Sequence, residues 1–211
     1  MIGSNPSLKV VEITKIQRKP EHLVRLSDGS ILLAFKEDLV RMGILENAQI
    51  ASSTIDELKN CYQRRKAKEV AVRMIKLRPR TEAELRRRFS QLKIEEEVQA
   101  SVIEELKSKN LIDDLRFARL WIGERKSKFG MARIRRELIA KGIDADTIEE
   151  AMSLEYDHQD EVSRIEEVLR KRLERLKGLE PEVVKHRIYQ YLVRRGFEPD
   201  LVCEVIRKAI D

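Results

Sequence analysis

From about Ser53 to the end of the chain, apolar residues return every three or four positions, the period of an amphipathic helix. The run from Ile55 to Leu77 contains neither Gly nor Pro, and it sets Ala67, Val70, Ala71, Met74 and Ile75 on one face, which predicts a long first helix. Arg78 precedes Pro79 and is pushed out of the α region, so the helix ends there. Thr81 then offers a hydroxyl with Glu84 three residues on, the pattern of a capping box, and opens a helix carrying Leu85 and Phe89. A third helix carries Val98, Val102, Ile103 and Leu106. A second series follows. Asp113 or Asp114 caps a helix bearing Phe117, Leu120, Trp121 and Ile122, and Phe129-Gly130 breaks it. Ile134 and Leu138 mark the next helix, Gly142 stands where a left-handed C-cap belongs, and Asp144 caps a short helix with Ile148, Ala151 and Met152. The third series runs from about Gln159 to Leu176 on Ile165, Val168, Leu169, Leu173 and Leu176. It continues from Glu180-Pro181 through Ile188 and Leu192 to Gly196, and from Glu198-Pro199 through Leu201, Val202, Val205 and Ile206.

The three series superpose. Leu85, Ile134 and Ile188 correspond, as do Phe89, Leu138 and Leu192; Ile94, Ile143 and Phe197; and Ile103, Met152 and Ile206. The offsets are 49 and 54 positions, large enough for three helices per repeat. Tandem three-helix modules bury a continuous core by stacking and tend to be elongated. The reading is mainly α: a lead-in helix with a first module over 54–112, a second over 113–156 and a third over 157–211.

The first 53 residues follow another rule. Val10 to Ile16 is rich in β-branched residues, and Leu23–Leu26 and Ile31–Phe35 flank Ser27-Asp28-Gly29-Ser30. An Asp-Gly step between two apolar runs signals a hairpin, because Gly tolerates the positive φ of the turn. A small β module of two or three strands is expected over 1–53, with a short helix near Lys36–Met42 ended by Gly43. Residues 1–61 carry eight basic and eight acidic side chains, so this piece is neutral and reads either as an accessory module or as a cap over the helical body.

Composition changes the picture little and charge changes it more. Hydrophobic residues make up 42% and charged ones 38%, which suits helices with wide solvated faces. No apolar run approaches the roughly 20 residues that cross a bilayer. The N-terminus lacks a basic-then-apolar signal pattern, and Cys61 and Cys203 are too few and too far apart for a disulfide framework, so a soluble, reducing, cytoplasmic protein is expected. The net charge of +6 alternates along the helical part: +8 over 62–88, −4 over 89–115, +7 over 116–141, −9 over 142–167, +6 over 168–196 and −2 thereafter. The first and second helices of each module are basic and the third is acidic. This forms either a repeated cationic binding face or salt-bridge pairing between solvated helices.

The binding reading rests on arginines, whose planar forks suit phosphates and carboxylates. Arg78, Arg80, Arg86, Arg87 and Arg88 form the densest cluster; Lys126, Lys128, Arg133, Arg135, Arg136 and Lys141 repeat it in the second module, and Arg194 and Arg195 echo it in the third. Trp121 lies on an apolar stripe and reads as core rather than as a base-stacking platform. His22, His158 and His186 have no His or Cys at ligand spacing, so no metal site is expected. Neither cysteine lies near a His, and no Gly-rich phosphate loop is present; no cofactor is called for and nothing points to an enzyme.

Three segments resemble one family. Arg78-Pro79-Arg80-Thr81-Glu82-Ala83-Glu84-Leu85 is similar to the RPR(S/T)E-x-E-L signature of the RecX regulatory proteins. Leu111-Ile112-Asp113-Asp114-Leu115-Arg116-Phe117-Ala118 resembles their (Y/L)-(L/I)-D-D-x-R-F-A segment, and Gly130 to Ile143 resembles their G-x-x-x-I-x-x-E-L-x-x-K-G-I run. The first module departs from the pattern, with Leu92-Lys93-Ile94 where Lys-Gly-Phe is usual, and the third is divergent. The resemblance implies a monomeric, non-catalytic bacterial protein of DNA repair and the SOS response. Such a protein binds the RecA filament and inhibits its ATPase, strand-exchange and coprotease activities, with single- or double-stranded DNA as a further partner and no membrane. Arg80, Arg87, Arg133, Arg136 and Lys141 are the expected contacts. A helical repeat that binds nucleic acid without RecA is the other reading; its mark would be DNA affinity that falls steeply with salt.

Overall fold

The structure, a computed structural model, describes residues 7–155, 157–176 and 178–210 and leaves out the side chains of 158–160. The first six residues of the 1–53 module, Tyr156 and Asp211 at the ends of the second and third, and the His158 side chain therefore lie outside the description. Two compact units emerge: Met1–Arg78 with Arg86–Lys109, and Pro79–Leu85 with Asn110–Asp211.

The first unit opens with an antiparallel sheet of β1 (Ser7–Lys15), β2 (Glu21–Leu26), β3 (Ile31–Phe35) and β4 (Gln49–Ala51), in spatial order β3-β2-β1-β4. The Asp-Gly hairpin forms as expected: Gly29 has φ +86°, and Asp28 Oδ1 accepts from the Ser30 backbone at 2.9 Å and its hydroxyl at 2.7 Å. The expectation of two or three strands falls short by one. β4 has only three residues, too few for a period-2 pattern, and pairs with Ser7–Lys9 some forty residues away in sequence. The loop before it turns through Asn47, at φ +67°. Helix α1 (Lys36–Arg41) ends before Gly43, at φ +65°.

Helix α2 (Ser52–Leu77) starts three residues before the expected Ile55. Its N-terminal half sends Ile55 and Leu58 into the sheet core with Val10, Val24, Leu26 and Leu32. Farther along, Ala67 and Ala71 are buried while Val70, Met74 and Ile75 are half-buried. Its neighbours include β3, β4 and α4, so its apolar stripe is not one continuous seam. Its cations are engaged. Lys66 reaches the buried Glu21 at 2.6 Å, a hydrogen bond that lowers the carboxyl's pKa and raises the ammonium's. Glu105 on α4 (Glu96–Ser108) accepts from Lys109 at 2.8 Å, Lys68 at 2.6 Å and Arg64 at 3.0 Å, which together hold its pKa down to about 2.

Helix α3 (Glu82–Gln91) follows Thr81, whose hydroxyl accepts from the Glu84 backbone at 3.2 Å, as a capping residue does. Helix α3 ends with Lys93 at φ +56°, the position that Gly142 (φ +80°) and Gly196 (φ +85°) hold in the later repeats. The helix end is thus conformationally the same, with an L-residue in a glycine's backbone geometry.

The second unit contains α5 (Asp114–Arg125), α6 (Met131–Ala140), α7 (Ala145–Glu155), α8 (His158–Leu173, with a 3₁₀ turn Glu174–Leu176), α9 (Pro181–Arg194) and α10 (Pro199–Ile210). Asp113, not Asp114, caps α5, accepting from Arg116 N at 2.8 Å; Asp114 accepts from Glu82 N at 3.0 Å. Asp144 caps α7 through Thr147 N at 2.8 Å, which with the Thr147 hydroxyl lowers its pKa. Ile134, Leu138, Ile143 and Met152 lie in one core, and Ile188, Leu192, Phe197 and Ile206 in another, matching the repeat read from sequence. Helix α9 begins one turn earlier than α6 relative to these shared core positions, so Val184, where Gly130 stands in the second module, is inside the helix.

Candidate functional site

Within the second unit the repeats meet by a recurring joint. The Thr81 hydroxyl, just before α3, donates to the carbonyl of Lys141 at the end of α6 (2.9 Å). The Gly130 N–H, just before α6, donates to the carbonyl of Arg195 at the end of α9 (3.0 Å). Sequence places both pairs at equivalent positions. Close approach requires glycine: a Cβ on Gly142 would collide with the Ala83 side chain, one on Gly196 with Arg133, and one on Gly130 with the main chain of Gly196 and Phe197.

Around the joint between α6 and α9 the basic residues sort by task. Arg195 donates from Nη1 to the Lys128 carbonyl at 3.1 Å and lies over the rings of Tyr191 (4.6 Å) and Phe129 (5.7 Å). Arg133 covers Phe129 at 3.9 Å and donates from Nε to Glu137 at 3.1 Å, while Arg172 covers Tyr191 at 4.6 Å. Guanidinium groups and rings alternate, an arrangement that holds the cations in place at modest energy. Glu137 also accepts from Trp121 Nε1 and pairs with Arg125 Nε, both at 3.1 Å. Trp121 packs against the second module's core, stacked on Phe117 at 5.9 Å, with Arg125 at 3.8 Å and Lys141 at 4.1 Å against its ring. The core reading of Trp121 holds, the side chain being half-buried against that core.

Several expected contacts are thus committed to the fold. Lys141 is half-buried and also lies 3.9 Å from Glu84, which pairs with Arg80 at 3.6 Å. Arg135 is locked to Glu149 across α6 and α7 through both carboxylate oxygens. Lys126 donates to the Glu155 carbonyl at 3.3 Å. Arg133, Arg136 and Arg194, in contrast, line one groove of about 380 Å³ with Glu137 and Ala140. Arg136 and Arg194 are exposed, and their Nε atoms donate to carbonyls of their own helices, Ala132 and Gln190, at 3.3 and 3.2 Å. Lys128 is exposed on the loop before α6. Arg78 and Arg87 are exposed and Arg86 half-buried; all three fall in the first unit. Sequence reasoning missed Phe129, Tyr191 and Arg172 as cation-holding partners. The recurrence of an aromatic beside Arg133 and Arg195 was the signal, and it is ambiguous without knowing which faces meet.

Among the described residues, no group of His, Cys, Asp and Glu is placed to hold a metal ion, and no helix is long and apolar enough to cross a membrane. Family models match three stretches: 67–106 as the first three-helix domain of RecX, 113–152 as the second and 159–206 as the third. The chain is similar to the regulatory protein RecX of Amycolatopsis mediterranei (30% identical, covering 69% of this chain and 84% of that one). It is similar also to those of Chromobacterium violaceum (33%, covering 67% and 89%) and Clostridium beijerinckii (27%, covering 95% and 97%). A crystal structure of regulatory protein RecX shares the fold at a TM-score of 0.67 and 20% identity, covering 95% of this chain and 99% of that one. RecX from Lactobacillus salivarius does so at 0.65 and 23%, covering 70% and 97%.

Proposed function

Because this chain belongs to the RecX family of regulatory proteins, we propose that its regulatory action is to bind the RecA filament on DNA and restrain its ATPase, strand-exchange and coprotease activities. It works in the cytoplasm as a non-catalytic monomer without a cofactor. The modules over 113–156 and 157–211 supply one contact face, Arg78, Arg86 and Arg87 of the module over 54–112 act as separate contacts, and the β module over 1–53 is accessory. The observation that supports this reading is the groove where Arg133, Arg136 and Arg194 converge from two modules, with two of the three exposed and bonded through Nε only to their own helices' carbonyls. Forks held this way suit carboxylates on an acidic protein surface and phosphates on DNA alike.

The test is RecA ATP hydrolysis on single-stranded DNA in excess, titrated with this protein at two salt concentrations. Arg136→Glu with Arg194→Glu is the informative variant. Reversing Arg133 instead would also break its contacts to Glu137 and Phe129 and confuse binding with folding. The wild type is expected to inhibit well below DNA-saturating amounts, and the double variant to lose inhibition with its circular dichroism unchanged. Inhibition unaffected by the double reversal removes the groove from the contact. The density of arginines also supports a second reading, sequence-independent DNA binding without RecA. An absence of inhibition alongside DNA affinity that falls steeply with salt would decide for it.

A further inference from the structure

The second and third modules differ at one equivalent place. In the second, Arg135 on α6 and Glu149 on α7 bridge the furrow between the two helices through both carboxylate oxygens. The offset of 54 carries those positions to Tyr189 and Cys203, which cannot form such a bridge. In the third module the furrow is open: a groove of about 580 Å³ lies between α9 and α10, lined by Glu182, Lys185, His186, Tyr189, Ile206 and Arg207 around Cys203. The same offset shows that its rim has also changed. Where the third module has Lys185, His186 and Arg207, the second has Met131, Ala132 and Ser153. One repeat thus seals this furrow with an ion pair, and the other leaves it open and adds basic groups.

We propose that the α9–α10 groove of the third module is a docking site for an acidic amphipathic peptide segment of a protein partner. Tyr189, Ile206 and Cys203 receive its apolar anchor, and Lys185 and Arg207 face its carboxylates. The α9 residues recur at helical spacing (182, 185, 186, 189), and so do those of α10 (203, 206, 207), so the groove runs between two helices and matches the length of a short helical or extended peptide. Its volume falls in the range of sites that hold a few side chains. A peptide fits better than nucleic acid for two reasons. The floor is apolar and the net charge modest, because Glu182 sits on the rim 3.4 Å from Lys185. A phosphodiester chain would find a denser set of arginines at the α6–α9 groove, where Arg133, Arg136 and Arg194 outnumber the single carboxylate of Glu137. The proposal is independent of whether the partner is RecA.

The probe is a fluorescein-labelled acidic peptide of about twelve residues with leucines at i, i+3, i+4 and i+7 and glutamates between, followed by anisotropy on the full chain. Two variants test the site. Arg207→Glu reverses an exposed charge on α10. Tyr189→Arg with Cys203→Glu installs the bridge that the second module already carries and so closes the furrow in a form the fold accepts. The wild type is expected to bind, and each variant to weaken binding by roughly tenfold or more, the loss expected when a central contact is removed. Equal binding by all three overturns the proposal. Displacement of the peptide by oligo-dT, itself sensitive to the same variants, overturns it in favour of nucleic acid. Self-association in sedimentation that the bridged variant abolishes, without peptide binding, overturns it in favour of a second copy of the chain.

Discussion

Replacing Gly130 by Ala tests the joint between the second and third modules. The added methyl would lie in the main chain of Gly196 and Phe197. The clash is with main-chain atoms and not with the far end of a flexible side chain, so no rotamer change relieves it. The two modules must therefore move apart. The Gly130 N–H to Arg195 carbonyl bond at 3.0 Å is lost, and the Arg195 bond to the Lys128 carbonyl at 3.1 Å is strained with it. Each is worth about 1 kcal/mol. Overpacking that the structure relieves only in part adds about 1–3 kcal/mol, so a loss of about 3 kcal/mol is expected. Gly123 provides the internal control. It lies exposed in the last turn of α5 with nothing near its missing Cβ, so Gly123→Ala should raise stability by about 0.5 kcal/mol through helix propensity alone, less than the ~1 kcal/mol of a helix interior. Urea denaturation followed by far-UV circular dichroism, with Trp121 fluorescence reporting on the second module, reads both. A Gly130→Ala chain within about 0.5 kcal/mol of wild type, the range of an ordinary surface change, would show that the close approach carries no energy and refute the argument.

Two further changes follow from the first unit. Lys93 holds φ +56°, so Lys93→Gly should relieve about 1 kcal/mol of left-handed strain and raise the denaturation midpoint, whereas a lowered midpoint would show that the side chain makes a compensating contact. Glu105, its pKa depressed from 4.5 to about 2, contributes stability that is fully present above pH 4.5 and is lost as pH falls toward 2. Glu105→Gln should therefore melt below wild type at neutral pH, and the gap should close across that window; a gap that stays constant with pH would rule out the ion pairs as its source.

The helical half of the molecule was readable because each helix buries a stripe at its own period and announces its ends. Thr81, Asp113, Asp144 and Pro181 all start helices where the pattern placed them. Non-local pairing was hidden. β4 is too short to show a period, and its partner stands at the other end of the β module. The candidate face was legible as a set of cations but not as a sorted one. Arg133, Arg135 and Arg136 are near neighbours in sequence, yet one stacks on Phe129, one is locked to Glu149 and one is exposed. Helix geometry separates them by angle; only the neighbouring element decides which angle meets a carboxylate, a ring or water.

The joint itself carries a hazard that the chain has met. Head-to-tail contact is heterologous, and a heterologous contact that does not close adds subunits without limit. A chain presenting an unmodified copy of each half would offer the same contact to a second chain at either end. At the first repeat, Lys93 puts a long charged side chain where Gly142 and Gly196 have none. At the third, the extra turn of α9 takes the N–H equivalent to that of Gly130 and spends it inside the helix, from Val184 to the Glu180 carbonyl at 3.0 Å. Each outward half thus differs by a local change of sequence from the halves that meet inside the chain, so neither end offers a second chain the same contact.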